Sequence, residues 1–139
     1  IKLNTANILL FKLGFAASFA AKLADTFGSE IGKRFGKNTF LITTFKKVRQ
    51  GTEGAISLEG TVASLFGALL MSFVMLILGF ITIEKGFLIV SFSGFTATIF
   101  ESFIGAKFQD KCNLSNEAVN AIQTSFSAML AILLYKFIF

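Results

Sequence analysis

Four long apolar stretches, separated by polar connections, run along the chain. The clearest is residues 60–83, which carry no charge over twenty-four positions and could cross roughly 30 Å of hydrocarbon as a helix rising 1.5 Å per residue. The predicted spans cover about residues 8–30, 57–83, 86–108 and 117–137. The pattern therefore predicts an all-α integral membrane protein: one domain over residues 1–139, built as a bundle of about four transmembrane helices.

Small side chains recur at helical spacing within these spans. Ala17, Ala21 and Asp25 lie four residues apart in the first span, and Gly60 and Ser64 are spaced likewise in the second. Residues four apart share a helix face, and small residues allow helix backbones to approach closely. We therefore expect tight helix contacts, with a carboxylate at the end of the first small-residue face.

The polar loop at residues 31–56 has features of its own. Residues 40–45, FLITTF, are β-branched and aromatic, so they predict a short strand or a segment lying along the membrane interface. Gly51 and Gly54 can adopt positive φ, which a loop needs if its N–H groups are to converge on an anion. Ser57 stands where a helix N-cap is expected.

Composition supports the membrane assignment. The chain is 54% hydrophobic and 15% charged, with a mean hydropathy of +0.74, whereas a soluble domain has roughly 25% charged residues. The sequence has no His and a single Cys112, which excludes imidazole catalysis, the usual zinc sites and an intrachain disulfide. The net charge of +5 borders apolar spans, so a nucleic-acid partner is not expected.

The basic residues concentrate in the loop at residues 33–53. The positive-inside rule places such a loop on the cytoplasmic or stromal side. Nineteen Phe residues and the absence of Pro and Trp resemble the codon bias of an AT-rich genome, such as an organellar one. The cations of this loop are Lys33, Arg34, Lys37, Lys46, Lys47 and Arg49, against Glu53 as its acid.

Polar clusters at the span ends should meet in space. Spans joined by short connections alternate in direction, so the ends of spans one and three lie on the same membrane side as the starts of spans two and four. Carboxylates in hydrocarbon cost at least about 2.5 kcal/mol each, so a shared metal or substrate site would explain them. Alternatively, each acid pairs with a neighbouring lysine or arginine. The clusters hold Asp25, Ser29, Glu30, Glu53, Ser57, Glu59, Glu101, Gln109, Asn116 and Asn120.

Acids and amides beside a basic, glycine-containing loop suit phosphate chemistry, because carboxylates bind Mg²⁺ and cations neutralise phosphate oxygens. Four segments also resemble consecutive signatures of the integral membrane family that includes phytyl-phosphate kinase of chloroplasts and cyanobacteria. They are FAASFAAKLADTFGSEIG (15–32), LITTFKKVRQGTEGAISLEGTVAS (41–64), GFTATIFESFIGAKFQ (94–109) and NEAVN (116–120). The resemblance covers the C-terminal part of a family member and implies further N-terminal spans.

This resemblance implies an activity: transfer of a phosphoryl group from a nucleoside triphosphate, CTP, to phytyl phosphate, giving phytyl diphosphate for tocopherol synthesis. It implies a plastid or cyanobacterial membrane, with lipid, isoprenoid phosphate and nucleotide as partners. Three departures from the family pattern stand out. The proline that is usual before Gly51 and Thr52 is missing at Arg49 and Gln50. Glu101 replaces an Asp, and Glu53 occupies a position where a small or amide residue is common.

The resemblance and the polar clusters together suggest residue roles. Asp25, Glu30 and Glu101 are the candidate catalytic residues and Mg²⁺ ligands. The candidate substrate- and phosphate-binding residues are Ser29, Lys46, Lys47, Arg49, Gly51, Thr52, Gly54, Ser57, Asn116 and Asn120.

Two other functions stay open on the sequence alone. The chain could be a non-catalytic membrane subunit of a larger, possibly photosynthetic, complex, with its polar groups serving helix packing. It could also be a transporter of small ions or lipid phosphates. A transporter needs polar residues at mid-membrane, and spans two and four are expected to be apolar beyond their first turns.

Overall fold

A computed structural model describes residues 5–109 and 111–139. Within them lie helices α1 (Thr5–Phe35), α2 (Leu58–Ile77), α3 (Leu88–Ile104) and α4 (Asn116–Ile138), and strands β1 (Thr39–Leu41) and β2 (Ala55–Ser57). One-turn π-helical segments at Ile83–Phe87 and Gly105–Gln109 extend α3 at both ends. Four helical stretches are long and apolar enough to cross a membrane. The predicted helical membrane bundle and the strand in its polar loop are confirmed.

Helix α2 begins where the sequence predicts and ends earlier. The Ser57 side chain caps the start of α2, because its Oγ accepts a hydrogen bond from the Gly60 N–H at 3.1 Å. The helix stops at Ile77 instead of running to residue 83. Gly79, at φ +71°, follows the C-cap, and the Phe80 N–H donates to the Met75 carbonyl at 3.0 Å in a Schellman-type closure. The apolar residues beyond this glycine form the turn into α3.

Helix α1 is the hub of the bundle. Alanines along it are fully buried, among them Ala20 and Ala24. A Cβ built on Gly94 of α3 would lie 2.8 Å from the Ala20 Cβ, and one built on Gly67 of α2 would lie 2.9 Å from the Leu23 carbonyl oxygen. The predicted small-residue faces are thus where α2 and α3 pack closely on α1.

Polar side chains lie deeper between the helices than the sequence pattern suggests. Gln123 and Ser127 of α4 and Ser72 of α2 are fully buried. The Ser127 Oγ donates to the Ala17 carbonyl at 2.9 Å, and the Ser72 Oγ donates to the Ala68 carbonyl at 2.8 Å. The expectation that spans two and four are apolar past their first turns was wrong. The buried serine hydroxyls donate their hydrogen bonds to backbone carbonyls within the protein and need no water.

Strand β1 lies in the middle of the polar loop. It pairs with β2 in antiparallel register, Leu41 opposite Ala55. On its other edge the Leu41 N–H donates to the Lys46 carbonyl at 2.9 Å, and the Val48 N–H donates to the Thr39 carbonyl at 3.0 Å. Residues 46–48 are therefore one strand further from α2 than β1 is. We call residues 39–49 the basic hairpin.

Candidate functional site

A pocket of about 310 Å³ lies where the C-terminal ends of α1 and α3 meet the N-terminal ends of α2 and α4. The turn at residues 51–54 forms a further wall. This is the shared polar end that antiparallel threading predicts. Nine of the predicted site residues line it: Asp25, Ser29, Gly51, Thr52, Gly54, Ser57, Glu101, Asn116 and Asn120.

Four predicted site residues lie elsewhere. Glu30 is exposed on α1 and does not line the pocket. Lys46, Lys47 and Arg49 are exposed along the outer edge of the basic hairpin, away from the pocket walls. The reason is the pairing of β1 with β2, which leaves β1 between residues 46–48 and the helix ends.

Two lysines that the sequence analysis did not assign to the site lie at it or beside it: Lys33 is a lining residue, and Lys22 is not but hydrogen-bonds to two lining residues. Lys33, from the last turn of α1, lines the pocket. The Lys22 Nζ donates to the Asp25 Oδ2 at 3.1 Å and to the Asn120 Oδ1 at 2.9 Å, which joins α1 to α4. The spacing of Lys22 and Asp25 by three residues was the available signal, because such residues are neighbours on a helix.

The alternative that every acid pairs with a neighbouring cation holds for Asp25, through Lys22. The other acids within residues 5–109 and 111–139 form no such pair, since Asp25 with Lys22 is the one side-chain ion pair found in those ranges. Lys107, a candidate partner of Glu101, lies over the Phe103 ring at 5.4 Å from its centroid. Glu101 is half-buried, and Asp25, Glu53 and Lys22 lie near enough to act on its charge.

Gly54 fixes the glycine turn against α3. Its φ is +73°, and a Cβ built on it would lie 2.3 Å from the Ala106 Cβ and 2.5 Å from the Ser102 carbonyl oxygen. The Gly54 carbonyl in turn accepts from the Ile42 N–H at 3.0 Å. Only glycine permits both this backbone conformation and this close approach. The turn is thereby held against the π-helical end of α3 beside Glu101.

The amides of the turn are only partly available to a ligand. The Thr52 N–H donates to the Arg49 carbonyl at 3.2 Å, and the Ala55 N–H donates to the Thr52 carbonyl at 3.0 Å. The Thr52 hydroxyl also donates to the Arg49 carbonyl, at 2.7 Å. These bonds preserve the shape of the turn. They also mean that only the remaining N–H groups of residues 51–54 can donate hydrogen bonds to an anion.

The carboxylates of the pocket fit a metal ion only in part. In the described ranges no group of three or more Asp, Glu, His or Cys side chains could hold a metal ion, so Asp25, Glu30 and Glu101 do not assemble as a three-carboxylate site. Asp25 and Glu101 do share the pocket. Mg²⁺ is commonly bound through one or two carboxylates together with substrate phosphates. The donor set suits an ion that arrives with phosphate.

Part of the pocket lining is apolar. Phe95 and Ile99 of α3 line it together with the hydroxyl residues Thr61 and Ser64 of α2. Helices α2 and α3 pack mainly on α1 and only lightly on each other, and Ile99 is 44% exposed. The pocket therefore extends from its charged residues to exposed residues of α2 and α3, Thr61 and Ile99. A molecule with an anionic head and an apolar chain matches this arrangement.

The fold and the pocket define an integral membrane protein, in which residues 5–109 and 111–139 form four membrane-length helices with a charged pocket at one end of the bundle. The chain belongs to the family described as integral membrane protein DUF92, which matches residues 2–128. This confirms the resemblance carried by the four sequence signatures.

Curated relatives include proteins of a plant and of two microorganisms. The chain is 48% identical over 132 residues to the protein VTE6, chloroplastic, of Arabidopsis thaliana. It is 46% identical over 125 residues to an uncharacterised membrane protein of Synechocystis, and 39% identical over 123 residues to one of Methanocaldococcus jannaschii. These matches include 93%, 89% and 88% of this chain but 39%, 48% and 51% of the relatives. The chain thus spans about two fifths to half of their length, and no solved structure matches it.

Proposed function

We propose that the pocket is the active site of a membrane isoprenoid-phosphate kinase. The observation that carries the proposal is the single pocket that joins a charged end, with Asp25, Glu101 and Lys33, to an apolar side between α2 and α3. An isoprenoid phosphate has the same two parts. Its phosphate would lie among the charged and amide groups, and its chain would leave between Phe95 and Thr61 toward the bilayer.

The reaction needs no imidazole base. An oxygen of the isoprenoid phosphate is already anionic at neutral pH, so it can attack the terminal phosphorus of the nucleotide directly. A new P–O bond forms, the bond to the bridging oxygen breaks, and the nucleoside diphosphate leaves with that electron pair. Catalysis of phosphoryl transfer is mainly positioning and charge stabilisation. This agrees with a pocket of carboxylates, a lysine and amides in a chain without His.

Each part of the pocket has a task in this scheme. Lys33 and Lys22 supply positive charge to the phosphate oxygens, with Lys22 oriented by Asp25 and Asn120. The turn at residues 51–54 offers its free N–H groups. The Asn116 Oδ1 accepts from the Gln109 Nε2 at 2.7 Å, which orients the Asn116 amide so that its N–H₂ can donate to a phosphate.

Asp25 and Glu101 are the residues that would hold Mg²⁺ together with the nucleotide phosphates. When bound, the ion supplies charge neutralisation of the transferring group. Without an ion, two carboxylates beside phosphates would repel them. Glu53, in the turn at residues 51–54, also lines the pocket, and its charge strengthens the requirement for a cation. Glu30, outside the pocket, has no part in this scheme.

The particular substrates follow from the family resemblance, which points to phytyl phosphate and CTP and to a plastid or cyanobacterial membrane. The chloroplastic relative in Arabidopsis thaliana and the relative in Synechocystis are consistent with that location. Since the chain spans half or less of these relatives, the proposal concerns the full-length protein. The basic hairpin is proposed to face the cytoplasm or stroma.

The test uses purified full-length protein in mild detergent with phytyl phosphate, Mg²⁺ and each nucleoside triphosphate in turn. We expect phytyl diphosphate, detected by mass spectrometry, with CTP giving the highest rate, and none after chelation of Mg²⁺. If no nucleotide gives phytyl diphosphate, and cooperative unfolding shows that the protein was folded, the proposed kinase activity would be refuted. A non-catalytic subunit would bind no nucleotide and would copurify stoichiometrically with a larger complex.

A further inference from the structure

The basic hairpin presents its cations away from the pocket. Lys46 and Lys47 are exposed on its outer edge, and Lys47 is bridged to Phe40 on β1. These side chains therefore cannot neutralise a ligand in the pocket without rearrangement of the sheet. Their position on the outer edge of the sheet, beyond β1, requires another explanation.

An apolar groove lies next to these cations. It encloses about 290 Å³ between the hairpin and the first turn of α2, and Phe40, Phe45, Leu58 and Thr61 line it. Phe45 is 72% exposed and Leu58 is 76% exposed. Large apolar side chains rimmed by charges mark interaction sites with proteins or membranes.

The backbone holds Phe45 in place at the hairpin tip. Phe45 has φ +52°, a conformation that non-glycine residues seldom adopt. Its N–H donates to the Leu41 carbonyl at 2.8 Å, and the Lys46 carbonyl accepts from the Leu41 N–H. The backbone of Phe45 and Lys46 is thus held against β1 by main-chain hydrogen bonds.

The groove is continuous with the lipid-facing side of α2. Leu58 begins that helix, and Val62 and Leu65 follow it on the exposed apolar surface. A hydrocarbon chain lying along α2 would therefore reach Leu58 and Phe45 at the hairpin. Beyond that point it meets positive charge.

The charges at the groove favour an anionic headgroup. Lys37 lines the groove, and Lys46 and Lys47 adjoin it through Phe45 and Phe40. Glu59 is the acid there, and its carboxylate accepts from the Lys37 N–H at 3.4 Å. Three cations against one acid leave an excess of positive charge beside the groove.

We propose that the basic hairpin and the α2 groove form a binding site for an anionic glycerolipid. One acyl chain packs on Leu58 and Phe45, and the headgroup lies against Lys46 and Lys47. The site is separate from the kinase pocket and does not depend on the proposed reaction. It would anchor the hairpin to the membrane surface and so set the position of the turn at residues 51–54.

The test is native mass spectrometry of the full-length protein in mild detergent. Phosphatidylglycerol and phosphatidylcholine with identical acyl chains are titrated separately. The variants are K46Q/K47Q and F45S. The matched control is K85Q/K136Q, which removes two exposed lysines at the opposite end of the bundle. The thermal unfolding midpoint of each variant shows that it is folded.

We expect the wild-type protein and the control to retain phosphatidylglycerol in preference to phosphatidylcholine. K46Q/K47Q should weaken phosphatidylglycerol binding roughly five- to tenfold, since each basic residue attracts the anionic headgroup and salt screens part of that attraction. F45S should weaken the binding of both lipids.

Three results would overturn the proposal: equal retention of the two lipids by the wild type, unchanged phosphatidylglycerol binding in K46Q/K47Q, or an equal loss in the control. Displacement of the lipid by free glycerol phosphate at similar concentration would show that the hairpin binds a soluble phosphate instead. That result too would refute a lipid site.

Discussion

The two ends of the bundle are built from the same four helices and differ in how they close. At the end opposite the pocket, Leu13, Met75, Ile81 and Ile89 form a packed apolar cluster. At the pocket end, the helix termini surround an open space lined by acids, amides and a lysine. Helix α1 contributes to both ends, with Leu13 in one and Asp25 in the other. One end holds the helices together, and the other is free to bind.

Glycines make close contacts at both ends, but their neighbours differ. A Cβ on Gly86 would lie 2.6 Å from the Ile81 Cβ, so that glycine is packed against a hydrocarbon side chain. A Cβ on Gly28 would lie 2.0 Å from the Ser64 Oγ, and one on Gly60 would lie 2.9 Å from the Gly28 carbonyl. The close approach of helices at glycines therefore produces an apolar core at one end of the bundle and a pocket wall rich in oxygen atoms at the other. Whether such a contact is apolar or polar depends on the residues that face the glycine.

The largest expected effect is on the pocket acids. D25N and E101Q should each lower the rate of phosphoryl transfer roughly 10²–10³-fold, the range typical for loss of one charge-stabilising group. Unfolding midpoints should change little, because both substitutions preserve size. Initial rates of phytyl diphosphate formation measure the effect.

E30Q is the matched control, since Glu30 is an acid on the same helix but outside the pocket. It should keep the wild-type rate. A loss in E30Q equal to that in D25N would mean that the charge of this membrane side, and not the pocket, determines the rate.

The next effect compares two glycines with similar backbones. Gly54, at φ +73°, touches Ala106, whereas Gly79, at φ +71°, has nothing within 4 Å of a built Cβ. G79A should lower stability only by the positive-φ strain, about 1 kcal/mol. G54A adds a clash and should lose about 3 kcal/mol in total. Thermal unfolding and initial rates measure both variants.

G54A should also reduce activity, because the glycine turn is displaced from the end of α3. G79A should leave activity intact. Equal effects of the two substitutions on stability would show that the contact of Gly54 with Ala106 contributes nothing.

Much of this arrangement follows from the order of residues along the chain. Four apolar runs joined by short connections must alternate in direction, so Asp25, Glu101 and Asn120 were expected at one end. The N-cap at Ser57 followed from a hydroxyl residue at the boundary of an apolar run. These predictions rest on local patterns and on topology, which a single sequence contains.

The differences between the sequence expectations and the structure concern non-local pairing and side-chain direction. Net charge placed Lys46 and Lys47 with the phosphates, but charge gives no information on which edge of a hairpin they occupy. The pairing of β1 with β2 decides that. Glu30 and Ser29 are adjacent in sequence, yet only Ser29 faces the pocket. The end of α2 was missed because hydropathy does not distinguish helix from apolar turn, although Gly79 was an available stop signal.

A smaller effect is expected at the packed end. L13A removes a side chain that is 1% exposed in the apolar cluster. Lipid cannot fill the resulting cavity, so the helices lose packing contacts, and we expect a loss of about 2 kcal/mol, the lower end of the range for such truncations. Urea or heat unfolding in detergent measures it. At a temperature where the variant is folded, phosphoryl transfer should be unchanged; a large fall in activity would show that the two ends are coupled.

The smallest effect is expected at Lys22, which tests the link between α1 and α4 at the pocket end. Its side chain is 48% exposed, so its ion pair with Asp25 should contribute at most about 1 kcal/mol to stability. Because Lys22 lies beside Asp25 and Asn120, we expect it to contribute more to binding of the isoprenoid phosphate than to stability. K22Q should raise KM for the isoprenoid phosphate roughly tenfold, as expected for one charged hydrogen bond, while the unfolding midpoint hardly moves. K22R keeps the charge and should restore most of the affinity; a K22R variant as weak as K22Q would mean that the shape of the lysine, not its charge, is what the pocket uses.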